Sequence, residues 1–102
     1  MSADASEEEV KLLRAVGHPV RRAVLKAMRG EEEISPRELS ERLEVRLSNL
    51  AYHVRVLAEC EAITLVRTRP VRGSTQHFYR FAIEAEWPYG VLGLSPPQAS
   101  GD

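Results

Sequence analysis

Apolar residues recur at helical spacing through the first half of the chain and then switch to alternation. Leu50, Val54 and Leu57 stand at i, i+4 and i+7, which predicts a helix over residues 47–60 with one buried stripe. At about 100° per residue, the opposite face carries Ser48, Tyr52, Arg55 and Glu59, with Asn49 and Val56 beside it. Just upstream, Leu39 and Leu43 form a shorter stripe. Ser35-Pro36-Arg37-Glu38 starts that helix: Ser35 caps free amides, Pro36 suits the first position, and Glu38 closes a capping box. Ile34 is placed to staple this helix onto the core. Further back, Gly17-His18-Pro19 opens a helix that packs through Val20, Val24, Ala27 and Met28 and ends at Gly30. That arrangement leaves Arg21, Arg22, Lys26 and Arg29 in water or near a phosphate. Ser6 and Glu9 form another capping box, opening a helix expected to bury Val10, Leu13 and Val16.

After Glu61 the period becomes two. Residues 62–69, AITLVRTR, are rich in β-branched types and read as a strand, and residues 76–83, QHFYRFAI, read as its partner. Pro70 and Gly73 supply turn chemistry between them. Ile63 and Leu65 share one face of the first strand; His77, Tyr79 and Phe81 share a face of the second, some of them in the core. Two helices joined by a tight turn, followed by a hairpin with an arginine-bearing loop, make a winged helix-turn-helix. The fold class is therefore mainly α with a β-hairpin wing (α+β), over residues 6–83.

Residues 84–94 are expected to be an irregular apolar segment, because prolines and glycines leave no room for a long helix. Trp87, Tyr89, Val91, Leu92 and Leu94 within it nevertheless need cover. Residues 1–5 and 95–102 are expected to be disordered.

The segment LSERLEVRLSNLAYHVRVLAECEAITLVR resembles the ArsR-like winged helix-turn-helix regulators. Leu39, Leu43, Tyr52, His53, Val56, Leu57 and Ile63 match that family's pattern, with Val45 and Val54 as apolar stand-ins for leucine. With the preceding GHPVRRAVLKAM, the likeness spans roughly residues 8 to 83. It implies a DNA-binding transcriptional regulator whose second motif helix reads the major groove. Three positions depart from the pattern. Glu44 and Glu61 stand where glycine usually permits a left-handed backbone, at a cost of about 1 kcal/mol. Arg46 stands where a serine cap is usual and could instead meet a phosphate.

The overall net charge of −1 argues against nucleic acid until its distribution is considered. Residues 46–80 hold six arginines against two glutamates, whereas both flanking segments are net acidic. The positive charge thus sits on the reading helix and the hairpin. The expected DNA-binding residues are Arg46, Leu47, Ser48, Asn49, Tyr52, His53 and Arg55 on the helix 47–60. The wing, residues 67–76, adds Arg67, Arg69, Arg72, Ser74 and Thr75 for the backbone or minor groove. By its angle, His53 lies about 60° from the middle of the core stripe, which suits a packed histidine better than a ligand.

Other chemistries lack their residues. Single histidines at 18, 53 and 77 form no metal-ligand spacing with the single Cys60, so neither metal nor cofactor is expected. Metal-sensing members of the resembled family carry cysteines on the first motif helix or ligands on a long C-terminal helix. This chain has Ser40 in the former and no such latter helix. No nucleophile–base pair or phosphate-cradling glycine loop is present, so an enzyme is not expected. The acidic MSADASEEE is neither a signal nor a transit peptide, and no apolar run reaches a membrane-spanning length, so no membrane partner and a cytoplasmic location are expected.

The resulting expectation is a sequence-specific double-stranded DNA-binding regulator, a repressor, acting as a homodimer through its two terminal apolar features. Two alternatives stay open at this point. The C-terminal cluster could fold back on its own domain and leave a monomer, or it could serve a winged-helix module that binds another protein.

Overall fold

The structure, a computed structural model, describes residues 6–96; of the stretches expected to be disordered, 1–5 and 95–102, all but residues 95 and 96 lie outside the described residues. Among the described residues, five helices and one hairpin follow in the order α1 (Glu7–Ala15), α2 (Pro19–Arg29), α3 (Pro36–Leu43), α4 (Leu47–Glu59), β1 (Ile63–Val71), β2 (Ser74–Phe81) and α5 (Trp87–Leu92). The helix starts follow the local chemistry. Both capping boxes are made, Ser6 with Glu9 and Ser35 with Glu38, and His18 caps α2 by accepting from the Val20 amide at 3.1 Å through Nδ1.

The core forms where α2, α3 and α4 meet. Val24, Leu25, Met28, Leu39, Leu50 and Leu57 are buried there, and α4 also packs on α2, α3 and β1. Ile34 does more than staple a helix. Its backbone exchanges two hydrogen bonds with Tyr79, at 2.9 and 3.0 Å, so β2 is paired on both sides and the hairpin is tied to the helices.

The turn between α3 and α4, and the one between α4 and β1, keep the geometry that the two glutamates put in question. Glu44 has φ 57° and Glu61 φ 63°, so both occupy the left-handed region normally left to glycine. Each carries about 1 kcal/mol of backbone strain, which the packing on either side holds in place. Ser40 supports the turn between α3 and α4, its hydroxyl donating to the Val45 carbonyl.

Several expected placements differ. On α1, Val10 and Leu13 are 54% and 55% exposed; Ala15 and Val16 are buried and Leu12 packs beside them. The buried stripe is therefore turned from the one predicted, because α1 touches the core only near its C-terminal end. On α2, Arg21, Arg22 and Arg29 are half-buried rather than in water. Arg21 Nε and Arg22 Nη1 donate to the carbonyls of Arg14 and Val16, and the Arg29 guanidinium stacks between Phe81 and Tyr89. Val56 is buried, not beside the polar face.

The hairpin breaks its alternation at a bulge between Leu65 and Arg67, which turns Leu65 and Val66 to solvent and makes Phe78 the buried aromatic of β2. Residues 84–94, read as irregular, contain the short α5. Pro88 fits its first turn, Gly93 ends it at φ 73°, and the Tyr89 hydroxyl donates to the Ile83 carbonyl at 2.7 Å. The apolar cluster splits: Tyr89 and Leu92 join the core, while Trp87 and Val91 remain exposed.

Candidate nucleic-acid interface

Burial of Leu50, Val54 and Leu57 fixes the rotation of α4 about its own axis. Ser48, Asn49, Tyr52 and Arg55 are then exposed together on its outer side, Tyr52 at 50%. A hydroxyl, a carboxamide, a phenol and a guanidinium offer both donors and acceptors, which is the equipment for reading base edges. Arg46 holds the N-cap position with no side-chain hydrogen bond to the helix, and Leu47 follows at 39% exposure. The first amides of α4 are thereby left without a side-chain partner.

His53 is a correction to the expected contact set. Its side chain is only 4% exposed, beneath Tyr52 and against α2. Arg21 Nη1 lies 3.2 Å from its Nδ1, and the His18 ring centroid lies 4.3 Å away. The guanidinium can only donate, so Nδ1 accepts and the imidazole is neutral with its proton on Nε2. Burial, with His18 and Arg21 adding to it, holds the His53 pKa below the ordinary histidine value. His53 supports the reading helix from behind and presents nothing to a groove.

The wing arginines divide by role. Arg67 is committed: it grips Glu33 with Nε at 3.0 Å from both carboxylate oxygens and lies 4.0 Å from the Phe78 ring centroid. That hydrogen bonding raises the Arg67 pKa and lowers that of Glu33. Arg67, expected to reach toward DNA, is held at the wing root by this ion pair and remains on the surface. Arg69 donates through Nη2 to Gln76 Oε1 at 3.0 Å, and Gln76 Nε2 donates to the Ser35 hydroxyl at 3.1 Å. Arg72 sits on the two-residue tip beside Gly73, whose φ of 68° favours glycine, and Arg72, Ser74 and Thr75 are exposed.

Sequence reasoning missed Gln76 and Arg37. Gln76 links the wing to the N-cap of α3, and Arg37 lines the same cleft as Arg69 and Arg72. A signal for Arg37 was present, since the first helix of a helix-turn-helix crosses the DNA backbone and Arg37 is in its first turn. For Gln76 there was none, because its partner is 41 positions away.

Among the described residues, no group of three or more His, Cys, Asp or Glu side chains could hold a metal ion, and no helix is long and apolar enough to cross a membrane.

The comparisons with known proteins agree with this fold. Residues 16–66, half of the chain, match the family described as a helix-turn-helix domain. HlyU from Vibrio cholerae is 26% identical; the match covers 90% of this chain and 91% of that one with a TM-score of 0.63. NolR from Sinorhizobium fredii, at 20% identity, covers 91% of both chains with a TM-score of 0.61. An ArsR family transcriptional regulator, at 21% identity, covers 90% of this chain and 86% of that one with a TM-score of 0.58. The last two likenesses speak for the fold alone. No curated protein sequence matches the chain. On the family match, the chain belongs to the helix-turn-helix domain family, whose motif is a DNA-binding one, and its fold is the winged form of the ArsR family regulator.

Proposed function

We propose that the protein is a sequence-specific repressor that reads the major groove of double-stranded DNA with the exposed face of α4. The observation that carries this reading is the shared exposure of Ser48, Asn49, Tyr52 and Arg55 opposite a fully buried stripe. Arg46 and the wing residues Arg69, Arg72, Ser74 and Thr75 flank that face and meet the sugar-phosphate backbone. Occupying the groove excludes other proteins from the same DNA, and for that reason repression is the mode proposed.

The test separates base reading from backbone grip. Arg72→Ala is expected to weaken binding to all duplexes by a similar factor, because a phosphate contact carries no sequence information. Tyr52→Ala or Arg55→Ala is expected to cost about 1–3 kcal/mol on the preferred duplex and less on random DNA. Affinities measured by fluorescence anisotropy would refute the assignment of α4 if all three variants lost equally on both duplexes.

A dimer belongs to the same proposal. Val10 and Leu13 on α1, and Trp87 and Val91 on α5, are exposed large apolar side chains on the two terminal helices. A two-fold axis bringing these helices against their copies would cover them and pair two reading helices for two half-sites about one helical turn apart. Tyr89 and Leu92 belong to the core, so removing α5 would also damage the domain. Leu13→Glu is the cleaner probe. It is expected to yield a monomer of unchanged helix content with weakened binding to a palindromic site. A variant that still sediments as a dimer in ultracentrifugation would remove α1 from the interface; a wild-type monomer would remove the dimer.

A further inference from the structure

Between the wing and the helix-turn-helix lies an open cleft of about 630 Å³, whose walls include Arg37 of α3, Arg69, Arg72, Ser74 and Thr75 of the wing, and Leu47 at the start of α4. Three arginines line it and none of the lining residues is acidic. Glu38, one residue along from Arg37, is occupied elsewhere: its Oε1 accepts from the Ser35 amide and hydroxyl at 3.0 and 3.1 Å. Among the described residues, Arg37 and Arg72 have no hydrogen-bonded or ion-pair partner, in contrast to Arg67, which is neutralised by Glu33 outside the cleft. Clustered cations without a counter-charge repel one another, and an anion placed between them relieves that repulsion.

The walls of the cleft are held, not loose. Gln76 accepts from Arg69 and donates to Ser35, so one side chain joins the wing to the N-cap of α3. Arg67 and Glu33 fix the wing root a few residues away. The spacing between Arg37 and the wing is therefore set before any ligand arrives. At the third wall, the first turn of α4 has no side-chain cap, so its free amides add positive potential. A guanidinium fork matches two oxygens of a phosphate, and hydroxyls at Ser74 and Thr75 can donate to the others.

Resting on the DNA-binding reading above, we propose that this cleft seats one phosphodiester of duplex DNA, with Arg37 as a backbone contact that works together with the wing. The chain of one strand would pass between α3 and the hairpin, so that α4 meets the groove at a set depth.

The experiment uses the full chain and the tightest duplex recovered from a random pool, alongside a scrambled duplex. Arg37→Ala is expected to weaken binding to both by the same factor, roughly fivefold to tenfold, the scale of one net hydrogen bond. The slope of log affinity against log salt should fall by about 0.9, the share of one phosphate. Duplexes carrying a neutral methylphosphonate at one position at a time locate the contact. One position should weaken the wild type and leave Arg37→Ala unaffected. Unchanged affinity and slope in Arg37→Ala, or methylphosphonate effects identical in both proteins, overturns the assignment. If Tyr52→Ala and Arg55→Ala still behave as readers in that case, only the cleft assignment falls. A wild type that binds no duplex removes the DNA reading and the cleft with it. Inorganic phosphate that raises the melting temperature of the wild type but not of Arg37→Ala, with DNA affinity equal in the two, assigns the cleft to a free phosphorylated ligand and overturns the backbone proposal.

Discussion

Leu50→Ala is expected to lower the unfolding free energy by about 2–5 kcal/mol, while leaving the DNA-facing chemistry of α4 untouched. Leu50 has no exposed surface and sits among the buried residues of α2, α3 and its own helix. Truncation removes the transfer free energy of the lost methyls and adds a cavity that close-packed neighbours cannot fill. A small domain has about 5–15 kcal/mol of stability in all, so the variant loses a large part of it. Tyr52 and Arg55, on the other side of the same helix, should behave in the opposite way. Their alanine variants should change stability by less than about 1 kcal/mol, as surface substitutions do, and lose DNA. Chemical denaturation reads the first effect as a lower midpoint at unchanged slope. A loss below about 1 kcal/mol for Leu50→Ala would place the core on another face of α4 and undo the assignment of its outer side.

That two-faced helix was legible in the sequence because its cause is local. Spacing at i, i+4 and i+7 fixes which side is buried, and the capping boxes at Ser6 and Ser35 fix where α1 and α3 begin. The hairpin was legible for the same reason, through alternation around Gly73. What escaped was decided by contacts distant in sequence. Val10 and Leu13 have perfectly good helical spacing, yet among the described residues they stay more than half exposed. Arg67 looked like a reaching wing arginine, but Glu33, 34 positions earlier, takes its charge. A single bulge in β1 moved Phe78 inward and Leu65 outward, and a pattern of period two carries no sign of where it slips.

Glu44 and Glu61 teach a different lesson. Local preference argued against a left-handed backbone at both, and tertiary packing imposed it anyway. Propensity of about 1 kcal/mol per residue is small beside the burial of α3 and α4 against each other. The turn geometry is thus a property of the packed helices, and the glutamates tolerate it.

Acid is expected to destabilise the fold in two separate steps, the first of them through His53. This imidazole is buried behind the reading helix, and the charged groups around it are all basic. Arg21 of α2 lies at 3.2 Å, His18 of the α2 cap stacks at 4.3 Å, and the Tyr52 ring meets it edge-on at 5.1 Å. Protonating Nδ1 would abolish the hydrogen bond from Arg21 and set two positive charges side by side. The folded pKa is therefore lowered, chiefly by burial, then by His18 and Arg21. Above about pH 6.5 folded and unfolded chains are both neutral here, so the full stability is present. Below it the unfolded chain takes up a proton that the folded chain refuses, so stability falls as pH falls, by up to about 1.4 kcal/mol per unit, until the lowered folded pKa is reached. Glu33 belongs to a second step at lower pH. Its pKa is lowered chiefly by the hydrogen bond from Arg67, so its contribution holds above the ordinary carboxylate range and is lost beneath it. His53→Gln isolates the first step, because the carboxamide oxygen can still accept from Arg21 and cannot titrate. Denaturant midpoints measured from pH 7.5 down to about pH 5 should decline for the wild type and stay nearly level for the variant. Parallel declines in the two proteins would show that His53 is protonated freely in the folded state, against the burial and the tautomer that its neighbours impose.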